Sequence, residues 1–450
     1  MRGKQLSSSI RGIAFLAFSI LFTSPIFAQN YSFKDLSPQD FQVLPEDLQS
    51  LHKQNALVRN LIIRYPNGVI KKSIFIGSPN APIINAMGGT FTNSLYMREY
   101  ALRQALKIES NLNYTSQNLA MAIRKKNFAI NLTEPSGFGN QLTGVIHSSE
   151  SQEFGMIEMI AEHLYTVNVL SEISGYKVLN IGHSLGGFII DFSSIGVKTD
   201  SRGRLFLDHD YGNEIAKKTK GNILLGTPFA LAHHDFDASL IPLLTIIGPN
   251  IVDQSPKIQK IYTWLYENKI LKPKYLHLPL SQLQKTSSTL LPGLFSNLSL
   301  IPLVDLKYLR AQDLHELARN TLSNSYPLKI LKEFSLMLTD GDLRVQFENH
   351  KDMSLRALYK SGNVQAKIPS FITTNLQDPV SRPKDLLMHS TFLKALGVKS
   401  EDLLQEGGHM NSALGILIVD SVEAAAKMFQ KIESSLETQE SSRYCRKSAS

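Results

Sequence analysis

A nucleophilic serine is the chemistry most legible in this chain of 450 residues. Ser184 stands inside Gly182-His183-Ser184-Leu185-Gly186. The two glycines suit a turn too sharp for side chains, which would leave the serine proud of its surroundings. Leu185 would open a helix, its N–H aimed where negative charge develops on an attacked carbonyl. A serine hydroxyl is a weak nucleophile near neutral pH, so it needs a base within hydrogen-bond reach and a third group to orient that base. Of twelve histidines, His409 leads as the base. Gly408 precedes it after a predicted strand and a long helix follows, which puts it in a loop at a sheet edge. His183 adjoins the serine, but consecutive residues at a sharp turn point different ways, so it packs or shapes the pocket. For the acid, Asp378 follows a predicted strand at residues 370–374, and sites in parallel sheets gather at such strand ends. Asp235 and Asp237 follow another core strand and remain rivals; Asp340 and Asp342 rank below them. Asn375 suits a tight left-handed turn ahead of the acid. His233-His234-Asp235 resembles a metal pair but has no further ligand at readable spacing, so no metal and no other cofactor is expected.

These residues need elements to hold them. Val178, Leu179 and Ile181 read as a β-branched strand running into the motif, and Phe188-Ile189-Ile190 as the helix leaving it. Upstream, apolar runs at 60–64 and 69–76 are joined by Tyr65-Pro66-Asn67-Gly68, a hairpin signal. A strand at 83–86 closes in Met87-Gly88-Gly89-Thr90, and helical patterns follow at 94–106 and 115–124. The strand at 128–132 leads into a glycine-rich loop, Glu134 to Gly139. Phe154, Ile157, Ile160, Ala161, Leu164 and Val167 mark one face of an amphipathic helix. Strands alternating with helices argue for an α/β protein with a mostly parallel central sheet and helices on both faces.

Past the motif, the polar sequence up to Lys220 reads as an exposed excursion, and residues 222–225 as a buried strand. From 229 to 367 the alternation stops. Frequent prolines and apolar runs at 240–247 and 290–304, too short and broken for membrane spans, read as a large, mainly helical cap inserted in the sheet order. Order returns with the strand at 370–374, a helix at 386–396, a short segment at 403–404 and a last helix carrying Leu414 to Ile432 at helical spacing. The core is thus expected at 29–228 and 368–434, with a polar, disordered tail at 435–450.

Arg2, Lys4 and Arg11 precede an apolar run at 13–22, and Ile26-Phe27-Ala28 ends on a small residue, the pattern of a signal peptide over residues 1–28. Export to the periplasm or beyond is expected. Without those residues, which hold three basic and no acidic groups, the formal charge falls from +8 to +5. Basic residues outside the tail are dispersed, which argues against a nucleic-acid partner. The single cysteine, Cys445, excludes an internal disulfide and offers no lipid attachment near the cleavage point. The hydrophobic share of 43% and charged share of 19% are those of a folded protein with an ample core.

The order Ser184, Asp378, His409 with the elbow at 182–186 resembles the α/β-hydrolase fold superfamily, in particular its lipase, esterase and capped members. Ile84 to Gly89 resembles the family strand ending in His-Gly, Phe128 to Gly139 the strand and Gly-x-Gly loop before the nucleophile helix, and 368–383 the acid loop. Met87 stands where the family has histidine, Glu134 where it has aspartate, and Asn375 where it has glycine. The resemblance covers about residues 60–228 and 366–432. It implies a serine hydrolase with Ser184 as nucleophile, His409 as base and Asp378 as acid. Oxyanion donors would be the amides of Leu185 and of Gly89 or Thr90. A small-molecule or lipid-like ester is the expected substrate, and the apolar cap suggests an acyl chain and transient contact with a lipid surface. Amidase, thioesterase or acyltransferase chemistry would use the same groups, and a non-catalytic binding protein on this fold is the rival from another class.

Overall fold

The computed structural model describes residues 30–53, 58–89, 93–107, 123, 125, 128–139, 142–148, 154–229, 275–276, 305–310, 313, 326–327, 329–330, 333, 337, 342–350, 353–361, 367–378 and 380–447. The expected signal peptide, Thr90, most of the helical pattern at 115–124, His233, His234, Asp235, Asp237, Asp340 and both apolar runs of the expected cap lie outside them.

A hairpin begins the sheet. Strand β1 (Tyr31–Lys34) pairs antiparallel with β2 (Val58–Arg64), which turns into β3 (Ile70–Gly77). The turn is the expected one: Gly68 takes φ 79°, and Tyr65 N donates to Val69 O at 2.8 Å. β3 pairs antiparallel with β5 (Ala129–Thr133) and with the short β6 (Gly144–His147). From β5 the sheet is parallel through β4 (Ile83–Met87), β7 (Val178–His183), β10 (Thr219–Leu225), β15 (Ser370–Asn375) and β16 (Ser400–Gln405). The order is β1-β2-β3-β5-β4-β7-β10-β15-β16.

Register in the middle of this sheet is pinned by polar groups that periodicity does not reveal. Asn131, Asn85, Asn180 and Asn222 face one another on four adjacent strands. Their amides form a buried ladder: Asn131 Nδ2 to Asn85 Oδ1 at 2.9 Å, Asn85 Nδ2 to Asn180 Oδ1 at 3.4 Å, and Asn180 Nδ2 to Asn222 Oδ1 at 3.2 Å. Ser73 on β3 closes its end by donating to Asn131 Oδ1 at 2.6 Å. A one-residue slip would leave these amides unpaired away from water, so the ladder selects a single register.

Helices cover both faces. On one side lie α4 (Met156–Ser174), α5 (Leu185–Phe192) and α8 (Pro383–Ala395); their buried side chains include Ile160, Leu164, Phe188, Ile190 and Leu393. On the other lie α2 (Glu46–Lys53), α3 (Arg98–Ala105) and α9 (Ile418–Lys447), with Leu48, Tyr100, Val422 and Phe429. A short α1 (Pro38–Val43) precedes α2, capped by Ser37. Strands such as β7 are buried on both faces, which explains why β-branched and apolar residues dominate them.

Two expectations are refined by the structure. The polar stretch before Lys220 is largely accessible to solvent but regular: it forms the hairpin β8 (Val197–Thr199) and β9 (Leu205–Leu207) and then α6 (His209–Lys217). Asp208 caps α6 by accepting from Tyr211 N at 2.9 Å, and the helix buries Ile215 and Ala216. The tail is not irregular either, since α9 continues to Lys447. Described pieces of the insertion at 229–367 pack on the core. The pairs β11 (Tyr275–Leu276) with β12 (Tyr326–Pro327) and β13 (Arg344–Val345) with β14 (Met353–Ser354) lie in this insertion. The last pair leads into α7 (Leu355–Ser361), whose Leu355, Leu358 and Tyr359 join the core cluster of Phe188 and Phe192. Tyr359 stacks on Phe192 at 4.3 Å. Among the described residues no helix is long and apolar enough to cross a membrane.

Candidate active site

The site forms where β7 ends. Gly182 and Gly186 cannot be replaced there: a Cβ on Gly182 would lie 2.5 Å from Gly187 N, and one on Gly186 would lie 2.5 Å from Gly88 O. Between them Ser184 takes φ 52° and ψ −117°, alone among described non-glycine residues in having positive φ. Such a conformation costs on the order of 1–3 kcal/mol and persists only where its surroundings enforce it. Ser184 N donates to Leu225 O on β10 at 2.9 Å, and Phe188 N to Ser184 O at 2.9 Å, so sheet and helix both hold the strained residue. Leu185 begins α5, where first-turn N–H groups have no intrahelical partner. Strand, strained elbow and helix stand at the centre of a sheet whose order reverses between β4 and β7. The architecture is that of the α/β-hydrolase fold.

In this α/β-hydrolase fold the next strand ends bring up His409 and Asp378. His409 Nδ1 lies 3.0 Å and 2.9 Å from the two oxygens of Asp378. Asp378 is held from behind, its Oδ1 accepting from the Val380 and Ser381 amides at 2.8 Å each. A carboxylate so fixed presents one geometry to the imidazole and commits Nδ1 to it. Both groups are buried, at 5% and 3% exposure, beside Ser184 at 8%. Among the described residues no hydrogen bond joins Ser184 Oγ to His409.

Asn375 acts otherwise than expected. Its φ is not positive; it completes β15, and its Nδ2 donates to Gly408 O at 2.6 Å and to Ser412 Oγ at 3.0 Å. It therefore fastens the loop that carries His409. Gly89 also departs from expectation. It backs onto Ser184, since a Cβ there would lie 2.9 Å from Ser184 Cβ, but its N–H donates to Tyr96 Oη at 2.9 Å. As an oxyanion donor that amide is already engaged. Thr90, the other candidate, lies outside the described residues.

Three residues near the site carry bonds that sequence reasoning left open or missed. His183, expected to pack, places Nδ1 2.6 Å from Tyr96 Oη and Nε2 3.2 Å from His409 O. Burial, and then the neighbouring His409, push its pKa well below the usual value, so it is neutral. Nothing around Tyr96 in the sequence marks it. Glu134 is wholly buried, and its Oε1 accepts from Ser94 N at 2.6 Å, Ser94 Oγ at 2.8 Å and Thr143 Oγ1 at 2.8 Å. It thereby anchors the 3₁₀ turn Ser94–Met97 that carries Tyr96. Burial raises its pKa to about 7 against those bonds. Asp342 sits away from the site, beside Ser354 and the Arg356 amide. No group of three or more metal-ligating side chains occurs among the described residues.

No family model matches the chain, and no curated relative matches it. It is similar to solved structures at low identity. One is a thioesterase domain from the curacin biosynthetic pathway, 14% identical over 83% of this chain and 99% of that one, with a TM-score of 0.42. Another is a Pyrococcus furiosus esterase, 9% identical over 89% and 97%, with a TM-score of 0.38. A third is an alpha/beta hydrolase from Penicillium sp. sh18, 10% identical over 83% and 98%, with a TM-score of 0.44.

Proposed function

We propose that the protein is an exported serine hydrolase that cleaves carboxylic esters of hydrophobic or acyl character. One observation carries this reading: a strained serine at the end of the central strand beside a buried histidine that a fixed carboxylate orients. Ser184 Oγ attacks the ester carbonyl while its proton passes to His409 Nε2, which is available because Nδ1 is committed to Asp378. The Leu185 amide supports the oxyanion at the mouth of α5. Collapse expels the alcohol with the proton from His409 and leaves an acyl group on Ser184. Water then attacks the acyl carbon, gives its proton to His409, and the acid departs as that proton returns to Ser184. Triad hydrogen bonds often tighten only when substrate is in place, so an open Ser184–His409 contact fits this scheme. The signal-peptide pattern supports export, and the apolar sequence at 240–247 and 290–304 supports a hydrophobic substrate.

The test is covalent. A fluorophosphonate should label the mature protein at Ser184 alone, and p-nitrophenyl esters of rising chain length should be turned over with a preference for longer acyl groups. Absence of label at Ser184 would overturn the hydrolase reading. Label with turnover of amides or thioesters in place of esters would overturn the substrate class only.

A further inference from the structure

The buried relay around His183 joins both lips of the site, and it rests on the serine-hydrolase reading above. We propose that Tyr96 and His183 are positioning residues that lock the strand-end loop at Gly89 to the backbone of His409. The bonds have a single consistent direction. His183 Nε2 faces a carbonyl oxygen, which can only accept, so Nε2 carries the proton and donates to His409 O at 3.2 Å. A second proton on Nδ1 would charge the ring in a site that burial and His409 keep neutral. Nδ1 is therefore an acceptor, Tyr96 Oη–H donates to it at 2.6 Å, and the Tyr96 oxygen in turn accepts the Gly89 N–H at 2.9 Å.

Each link is shielded from water: Tyr96 and His183 are both 1% exposed. Their rings also constrain one another sideways. Tyr96 meets His183 edge-on, with centroids 5.6 Å apart and planes at 85°, and the His183 ring lies 4.8 Å from that of His409. His409 is thus held from two directions, through its ring by Asp378 and through its carbonyl by His183. Ser184 follows His183 directly, so the bonds that fix the His183 side chain also anchor the chain at the elbow. Tyr96 itself is set by the Ser94–Met97 turn, with Asn93 Oδ1 accepting Leu95 N at 3.0 Å and Glu134 accepting from Ser94. Neither positioning residue reaches the reacting atoms. Their effect lies in the rate of the chemical step, not in substrate affinity, because small misplacements of a base cost turnover steeply.

The experiment measures turnover per active site, with sites counted by fluorophosphonate labelling of Ser184. For Tyr96→Phe, kcat per labelled site is expected to fall about 10- to 100-fold with KM changed less than about twofold. His183→Ala should fall at least as far. His183→Gln, which can still offer a donor toward His409 O, should recover a large part of the loss. A purely structural role would lower the number of labelled sites and the melting temperature but leave kcat per site intact. Retention of kcat per site within about twofold in both Tyr96→Phe and His183→Ala overturns the proposal, as does a rise in Tyr96→Phe from release of the Gly89 amide. Failure of the wild type to label at Ser184 overturns the hydrolase reading and this role together, and so separates the two failures.

Discussion

Two buried histidine–aspartate pairs occur among the described residues, and their surroundings differ. His409 Nδ1 meets Asp378 at 2.9 Å at the strand ends next to Ser184. His389 Nε2 meets Asp191 at 3.1 Å among the helices, with Tyr359 Oη donating to Asp191 Oδ1 at 2.7 Å. Distance and burial scarcely tell them apart. What differs is the backbone around them. Asp378 is fixed by two amides in a loop, and His409 turns Nδ1 to it at the strand ends where the strained Ser184 also lies. Asp191 sits in α5, and its partners come from α7 and α8, with Phe229 stacked on His389 at 4.6 Å. Phe229 and Tyr359 stand near the two ends of the insertion. The second pair therefore gathers both ends of the insertion against α5 and α8, whereas the first joins two loops at the strand ends.

The largest effect should come from breaking the first pair. Asp378→Asn keeps the shape but no longer stabilises the charged imidazole or fixes its tautomer. The loss in kcat is expected to be about 10⁴-fold, roughly 5 kcal/mol, with ester turnover as the measurement. A variant within tenfold of wild type would remove Asp378 from the site. The matched change in the second pair should do the reverse. His389→Ala leaves the buried Asp191 with only the Tyr359 hydroxyl, and a buried polar group that loses its partner typically costs about 1–3 kcal/mol. Urea unfolding should report that loss, while kcat per labelled Ser184 stays near wild type. Equal damage to turnover per site would erase the distinction drawn between the pairs.

Much of the first pair was readable from the sequence because its determinants are local. Gly182 and Gly186 flank the serine, and Asp378 and His409 each follow a strand whose apolar run is visible. The second pair was not, since Asp191 and His389 lie on helices far apart in sequence and each reads as an ordinary polar residue. Tyr96 was hidden for the same reason, being 87 residues from its partner His183. Asn180 and Asn85 interrupt apolar strands, yet alternation alone cannot tell a ladder rung from a surface position. The extension of α9 to Lys447 escaped notice because a polar helix carries no apolar stripe. Asn375 was noticed for its backbone tolerance, whereas its side-chain amide is what matters.

Glu134 sharpens the comparison from another side, as a buried carboxylate with no histidine against it. Its pKa is raised to about 7 from a usual 4.5. Below about 4.5 it is protonated whether the chain is folded or not. Between about 4.5 and 7 only the unfolded chain ionises, so stability falls as pH rises, and above about 7 the loss is complete. The shift corresponds to on the order of 3 kcal/mol. Denaturation at pH 5 and pH 8 should show this decline in the wild type and a flatter profile in Glu134→Gln. An identical slope in both proteins would assign the decline to other groups.

The smallest effect removes charge from the comparison altogether. Asn180→Ala deletes the middle rung of the asparagine ladder, leaving Asn85 Nδ2 and Asn222 Oδ1 without the partners they have at 3.4 Å and 3.2 Å. Unpaired buried amides cost about 1–3 kcal/mol, and no proton is exchanged in the process. The expected loss is thus the same at pH 5 and pH 8, unlike that of Glu134. It should also leave fluorophosphonate labelling of Ser184 unchanged, because Asn180 holds β7 through the sheet and the elbow is held by Leu225 O and α5. A loss that varies with pH would tie the ladder to the buried charges at the strand ends. A loss below about 0.5 kcal/mol would mean the apolar packing on the two faces of β7 sets register without it.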